Sequence, residues 1–461
     1  MTLTINKFDE IHFIGIGGSG MAPIAGILLK MGYNITGSDL NDNTYTQKLK
    51  LLGARIYFEH NPSNIRTSKL IVVSSAIKES NPEYSAAKKA KIPVVRRAEM
   101  LSWIMDQHAN KIAVAGTHGK TTTSAMLATA IEEIGLKPTY VIGGTISNYN
   151  KNSELGERNF AIAEADESDK SFLFLNPSSI IITNIEEDHM DNFKDIDEIK
   201  DIFSQFFKKM TPGGTLIING DDKNSNLIKP KSNYLTYGLS DKNDVSAKNI
   251  NLNFYSCQYD LYIDHKLIQK VNINVPGTHN VYNSLSIFAL CHFYKLDLSK
   301  VAKGLEKFSG TSRRLQKVGE HEDILIYDDY AHHPTEVQAT LEAVKSSWPK
   351  KNVVVIFQPH RFSRLQFMMP KFPSSFQKAD QVILTDVFSA GEEEIEGINS
   401  KELSNKINKL YPNKSTYIAK LTDISKFVKK HKQKDTIYLT MGAGSITTLG
   451  KEILFQFKLT N

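Results

Sequence analysis

The chain has only two cysteines, Cys257 and Cys291, in 461 residues. That scarcity excludes a disulfide framework and fits a reducing compartment. No uninterrupted apolar run approaches the ~20 residues of a membrane helix, and Met1 to Glu10 lacks the charged and apolar zones of a signal peptide. A soluble, cytoplasmic chain without stable membrane insertion is therefore expected. A large excess of one sign of charge is also missing, since 56 Lys and Arg against 50 Asp and Glu leave a formal net charge of +6. The basic residues are scattered, so no nucleic-acid partner is expected, and a small anionic substrate fits the balance. There is no internal repeat, low-complexity tract or long charged linker. At ~100 to 200 residues per domain the length suggests two to four domains. Boundaries near Gln107 to Asn110 and Ser309 to Arg314 divide it into 1–108, 109–310 and 311–461. Monomer and homodimer are equally compatible with the sequence.

The stretch with the strongest chemical signal runs from Lys111 to Ile134. It reads as a strand, Lys111 to Ala115, then a tight loop, Gly116-Thr117-His118-Gly119-Lys120-Thr121-Thr122-Thr123, and a helix stopped at Gly135. Small residues let the loop backbone approach a polyphosphate, and the helix aims free N–H groups and its positive dipole end at the same place. Lys120 adds a full charge, and Thr121 offers a hydroxyl to a magnesium ion. The spacing is that of a shorter relative of the eight-residue P-loop, because Val114 stands where the first glycine of the longer pattern would be.

A second glycine turn lies near the N-terminus. The strand at Ile11 to Ile14 runs through Gly15, Gly17, Gly18, Ser19 and Gly20 into an apolar helix beginning at Met21. The glycine spacing fits a dinucleotide fingerprint, with Asp39 after the next strand where a ribose-binding acid would sit. The turn suits NAD or any other diphosphate. Leu70 to Val73 ends at Ser74-Ser75, and Ile92 to Val95 ends at Arg96-Arg97; both supply groups for phosphates, although two arginines alone also read as a solvated pair.

Beyond the central loop, Phe160 to Ala163 delivers the acidic run Glu164 to Asp169, and Ser179 to Thr183 delivers Asn184 to His189. Parallel-sheet enzymes bind ligands at the carboxyl ends of strands, where this chain repeatedly places acids, histidines and glycines. Beside a phosphate loop, such acids become magnesium ligands, directly or through water; taken singly they also read as helix caps. Residues 196 to 210 show a helical apolar stripe that is core. From Ile250 to Val275 the period changes to two, through Leu252 and Phe254, as expected for a flanking antiparallel sheet. Gly277 to Asn283 then enters an apolar helix, where Asn280 and Asn283 share a face and suit either a base or a cap. After residue 310, strands at Ile324 to Tyr327, Val353 to Phe357, Val382 to Thr385 and Ile437 to Thr440 end at Asp328 to Pro334, Gln358 to Arg364, Asp386 and Met441 to Gly444.

Taken together these motifs resemble the Mur ligases of bacterial peptidoglycan synthesis over essentially the whole chain, and the run Gln358 to Arg364 resembles the alanine-adding branch. The resemblance implies an α/β fold of three domains: an N-terminal Rossmann-like domain for a UDP-sugar, a central P-loop ATPase-like domain, and a C-terminal Rossmann-like domain for an amino acid. The implied reaction is ATP-dependent ligation of L-alanine to the carboxylate of UDP-N-acetylmuramate through an acyl phosphate. Gly116, Thr117, His118, Gly119, Lys120, Thr121 and Thr122 would hold the ATP phosphates, with His279, Asn280 and Asn283 near adenine, Arg314 near the phosphates and Asp329 at the ribose. Thr121, Glu164 and His189 would surround Mg2+. Gly17, Gly18, Ser19, Gly20 and Met21, with Asp39, Ser74, Ser75 and Arg97, would hold the UDP-sugar. His332 would assist or orient the amine, while Arg361 and Arg364 would grip the amino-acid carboxylate or reach phosphates on closure. Leu315, Phe388 and Ser445 depart from the family's usual Phe, Tyr and Asp, and none of the three removes a group assigned to chemistry. A nicotinamide-dependent oxidoreductase would account for Gly15 to Gly20 alone and leave Lys120 without a task.

Overall fold

The computed structural model describes residues 5–7, 9–231, 233–253 and 255–459. Phe254 of the alternating stretch and Met1 to Thr4 lie outside them. Three sheets, each wrapped by helices, make the α/β architecture. In the first, five parallel strands lie in the order Arg55–Tyr57, Asn34–Ser38, Glu10–Ile14, Ser68–Val73, Val94–Arg96. Strand order reverses beside Glu10–Ile14, which opens a crevice at its carboxyl end, where the glycine turn stands.

The central sheet has ten strands. Asn110–Ala115 sits inside it between Ser179–Ile182 and Phe160–Glu164, parallel to both. Buried on both faces, these strands read as continuous apolar runs. The stretch expected to be a flanking sheet is instead the edge of this same sheet: Val245–Leu252 pairs in parallel with Tyr234–Gly238, and Cys257–Ile263 and Lys266–Ile273 continue antiparallel. Period-two patterning identifies such strands but says nothing about which neighbour their outer edge finds. Helix Lys120–Glu133 is buried from Thr123 to Ile131 because it lies under two further helices, Thr278–Phe293 and Leu298–Lys307.

In the third sheet five strands are parallel and Gln316–His321 forms an antiparallel edge. Observed strand and helix ends differ by a residue or two from those expected, as in Asn352–Phe357 and Thr436–Met441. Among the described residues no helix is long and apolar enough to cross a membrane.

Candidate active site between the domains

At the end of Asn110–Ala115 the backbone of Gly116 (φ +127°) and Gly119 (φ +86°) is left-handed. A Cβ on Gly116 would stand 2.2 Å from Thr183 Oγ1, and one on Gly119 2.9 Å from Asn283 Oδ1, so side chains are excluded by space as well as by backbone conformation. Asn184 braces the loop, accepting the His118 N–H at 2.9 Å and donating to its carbonyl at 3.1 Å. Lys120 folds back over the loop, its Nζ donating to the Gly116 carbonyl at 2.5 Å and lying 3.0 Å from Glu167 Oε2. Burial works against its charge, but Glu167, Asp166 and Glu164 more than offset it and hold the ammonium above its ordinary pKa. The loop thus carries a permanent positive charge at a helix N-terminus.

Thr121 Oγ1 donates to Glu164 Oε2 at 3.2 Å, and Glu164 Oε1 accepts the Gly143 N–H at 2.7 Å. His189 does not join that pair; its ligating atom groups with those of Asp166 and Glu167, all within 4.8 Å of one another. His189 has a backbone φ of +55°, unusual for a residue with a side chain. Burial pushes the Glu164 carboxyl up, with Gly143 and Lys120 opposing. The Thr121 hydroxyl and Glu164 carboxylate form one donor pair that suits a hard divalent cation, which would favour the ionised form of Glu164, and His189 with Asp166 and Glu167 forms a second donor group.

Between the central and C-terminal domains lies a cleft of about 740 Å3. His118, Gly119 and Thr122 line one side, and His279, Asn280 and Asn283 another, with Arg314 and Asp329 opposite. Eight of the expected nucleotide residues therefore meet in one cavity. Asn283 Nδ2 donates to Asn280 Oδ1 at 3.1 Å, and Asn280 Nδ2 to the Pro276 carbonyl at 2.7 Å; the pair on one helix face is part cap, part cleft wall. Burial and the nearby Arg314 push His279 down to about 4, so it is neutral. Asp329 is pushed up to about 6 by burial, against Arg314, and accepts the Ala331 and Leu315 N–H groups at 2.7 and 2.6 Å.

The C-terminal domain brings His332 to the same interface. Its Nδ1 is 2.9 Å from the Tyr330 carbonyl, which only accepts, so Nδ1 carries the proton and Nε2 keeps its lone pair. Burial pushes this imidazole down to about 3, with Glu336 opposing, so it stays neutral, with Nε2 a hydrogen-bond acceptor. Arg361 and Arg364 are partnered across the domain boundary. Arg364 pairs with Asp188 at 3.1 Å, while Arg361 pairs with Glu392 at 2.5 Å and with Asp191. Arg364 lies within helix Phe362–Met368, whereas Arg361 is the residue before it, with φ +72°. Both nevertheless face the segment carrying His189.

In the N-terminal domain, Asp39 Oδ2 accepts the Gly17 N–H at 2.9 Å, and a Cβ on Gly20 would lie 3.1 Å from Arg97 Cδ. Ser74 Cβ is 3.7 Å from the position a Cβ on Gly15 would take. Glycine turn, acid, serine and arginine are brought together at one sheet end.

Mur ligase models match three successive stretches: the family's catalytic domain over residues 10–109, its middle domain over 114–291 and its glutamate ligase domain over 313–444. A UDP-N-acetylmuramate–L-alanine ligase of Geotalea uraniireducens is 40% identical over 454 residues, 98% of this chain and 99% of its own. The chain is a Mur ligase. Another UDP-N-acetylmuramate–L-alanine ligase, from Geobacter sulfurreducens, is 41% identical with 98% of each chain covered. Among solved structures, the UDP-N-acetylmuramate-alanine ligase of Thermotoga maritima superposes with a TM-score of 0.83 at 26% identity, covering 98% of this chain and 100% of its own. A murein peptide ligase of Psychrobacter arcticus shares the fold at 23% identity, with a TM-score of 0.70 and 97% and 98% coverage.

In this Mur ligase the site includes residues that no single sequence motif picked out. Glu167 pairs with Lys120, Glu186 accepts the Thr335 hydroxyl at 2.6 Å, and Glu336 is 3.3 Å from Arg314. Glu167 and Glu186 belonged to acidic runs at strand ends, a signal that locates the neighbourhood but not the member that turns inward. Glu336 stands three residues after His333, the spacing of a capping box, which is the one sequence cue to its role.

Proposed function

We propose that this Mur ligase joins L-alanine to the lactyl carboxylate of UDP-N-acetylmuramate with consumption of ATP, in the cytoplasm, as a step of peptidoglycan precursor synthesis. Residues 1–108 bind the UDP-sugar, 109–310 bind ATP and 311–461 present the amino acid. The observation that carries the reading is the interdomain cleft, where His118, Gly119 and Thr122 of the phosphate loop meet Arg314, Asp329 and Glu336 of the C-terminal domain, in a chain similar over nearly its full length to alanine-adding ligases.

A carboxylate is a poor acylating group, so its oxygen first takes the γ-phosphoryl group of ATP and ADP departs. The alanine amine then attacks the acyl phosphate carbon, and inorganic phosphate leaves as the amide forms. Lys120 supplies fixed positive charge where phosphoryl charge accumulates, the dominant requirement of such a step. Thr121 and Glu164, and His189 beside Asp166 and Glu167, are the residues that would hold Mg2+, which screens phosphate charge when bound. His332, neutral with an unprotonated Nε2, orients the attacking amine by accepting a hydrogen bond from it or assists its loss of a proton. Arg361 and Arg364 bring guanidinium groups to the carboxylate of alanine, which such a group can grip with two parallel hydrogen bonds. The glycine turn at Gly15 to Gly20 holds the UDP diphosphate in place of NAD.

The test supplies UDP-N-acetylmuramate, ATP and magnesium with a panel of amino acids and a cell-wall tripeptide, and weighs the product. A mass corresponding to the alanyl amide, formed fastest with L-alanine, is expected. Product only with the tripeptide, or ATP turnover without any amide, overturns the reading.

A further inference from the structure

Glu336 occupies the third position of helix Pro334–Ser347, whose N-cap is His333. A capping-box glutamate commonly uses one oxygen on backbone N–H groups and leaves the other to solvent. Here the side chain is 9% exposed and both oxygens are engaged. Oε2 accepts the His332 N–H at 3.1 Å and the His333 N–H at 3.3 Å. Oε1 turns the other way, 3.3 Å from Arg314 Nη1 and 3.4 Å from His118 Nδ1. His118 belongs to the phosphate loop of the central domain, and its Nε2 faces a second carboxylate, Glu186, at 3.7 Å. Glu186 in turn takes the hydroxyl of Thr335, the residue just before Glu336, at 2.6 Å.

One carboxylate thus touches the nucleotide loop, the arginine that lines the nucleotide cleft, and the backbone that carries the amine-facing histidine. We propose that Glu336 is a positioning residue that ties the setting of the ATP phosphate loop to the setting of His332, so that the acceptor side is aligned only when the nucleotide side is closed upon it. The inference rests on the ATP and amino-acid assignments of the proposed function.

Charge, and not capping, carries this role, and the two separate cleanly. A glutamine at this position keeps an amide oxygen for the His332 and His333 N–H groups while removing the negative charge that His118 and Arg314 face. Buried hydrogen bonds to charged groups are strong, so Glu336→Gln is expected to lower kcat/KM for alanine about tenfold or more and to raise KM for ATP several-fold. KM for the UDP-sugar, bound by another sheet, should stay within about twofold of the native value. Coupled groups give non-additive effects, so adding His118→Gln to Glu336→Gln should cost no more than about a further twofold. Glu336→Gln with native constants would reduce Glu336 to a helix cap and overturn the proposal, as would strictly additive losses in the double variant or equal losses in all three KM values. Calorimetric titration of the folded chain with a non-hydrolysable ATP analogue separates this failure from failure of the functional reading. If no amide forms with the native chain, the functional reading falls, whereas unchanged nucleotide affinity in Glu336→Gln overturns the positioning role.

Discussion

Arg364 reaches from the C-terminal domain to Asp188 of the central domain, Nη2 to Oδ1 at 3.1 Å, with each side chain only 7% exposed. Burial opposes the charge on Asp188, yet Arg364 and the neighbouring histidines hold its carboxyl well below the usual range. The next residue is His189, so this ion pair fixes the loop that carries a candidate metal ligand. Lys371 to Glu187 at 2.9 Å and Arg361 to Asp191 extend the contact along the same segment.

Breaking a buried pair by removing one partner leaves the other charge uncompensated, a loss of about 3 to 5 kcal/mol. Asp188→Ala should therefore loosen the interface and depress ligation, whereas the exposed Lys371→Ala pair loss should be nearly silent. Arg361→Lys or Arg364→Lys should raise KM for alanine well above any change in KM for ATP, because lysine lacks the bidentate fork. Steady-state kinetics on these variants decides the matter; equal rises in both constants would assign the arginines to closure alone.

Lys120→Ala should fold and lose ligation by orders of magnitude, as loss of a transition-state charge contact worth about 3 to 4 kcal/mol implies. Circular dichroism and product assays are the checks. A folded variant with near-native turnover would remove Lys120 from the chemistry.

Glu164→Gln should raise the magnesium concentration needed for half-maximal rate, since a carboxylate becomes a neutral amide beside Thr121. Titration of the metal at saturating substrates measures this. Asp166 or Glu167 variants with the larger shift would move the metal toward the group containing His189.

Gly17→Val should weaken UDP-sugar binding in calorimetry, because a Cβ there meets Asp39 Oδ2 at 2.9 Å and Thr46 Cγ2 at 2.8 Å. Loss of the Asp39 bond to the Gly17 N–H would open the turn. Unaltered affinity would put the UDP-sugar elsewhere.

Acid stability supplies a prediction away from catalysis. Burial pushes the wholly enclosed Glu83 up, but His12, Ser38 and Asn64 outweigh it and bring the carboxyl from 4.5 to about 2. The unfolded chain then binds more protons between those values, so this contribution is complete above 4.5 and lost as pH falls through about 2. Glu83→Gln should lower Tm at neutral pH and flatten its fall below about 4.5. Calorimetric scans at several pH values test this, and an unchanged acid slope would assign the sensitivity to other carboxylates.

The family, the α/β class and the loops at strand ends were legible in the sequence, because a phosphate site needs glycine, a helix N-terminus and a cation within a few consecutive residues. Lys120, Thr121 and the glycines of both turns are local in that sense. Tertiary structure alone decided which members of each acidic run turn inward, that Arg361 and Arg364 face the central domain, and that the alternating strands extend the central sheet. It also decided that Glu336 stands between His118 and His332, residues 214 positions apart in the chain. Contacts of that kind depend on how separate domains pack, and local patterning carries no term for the orientation of one domain against another.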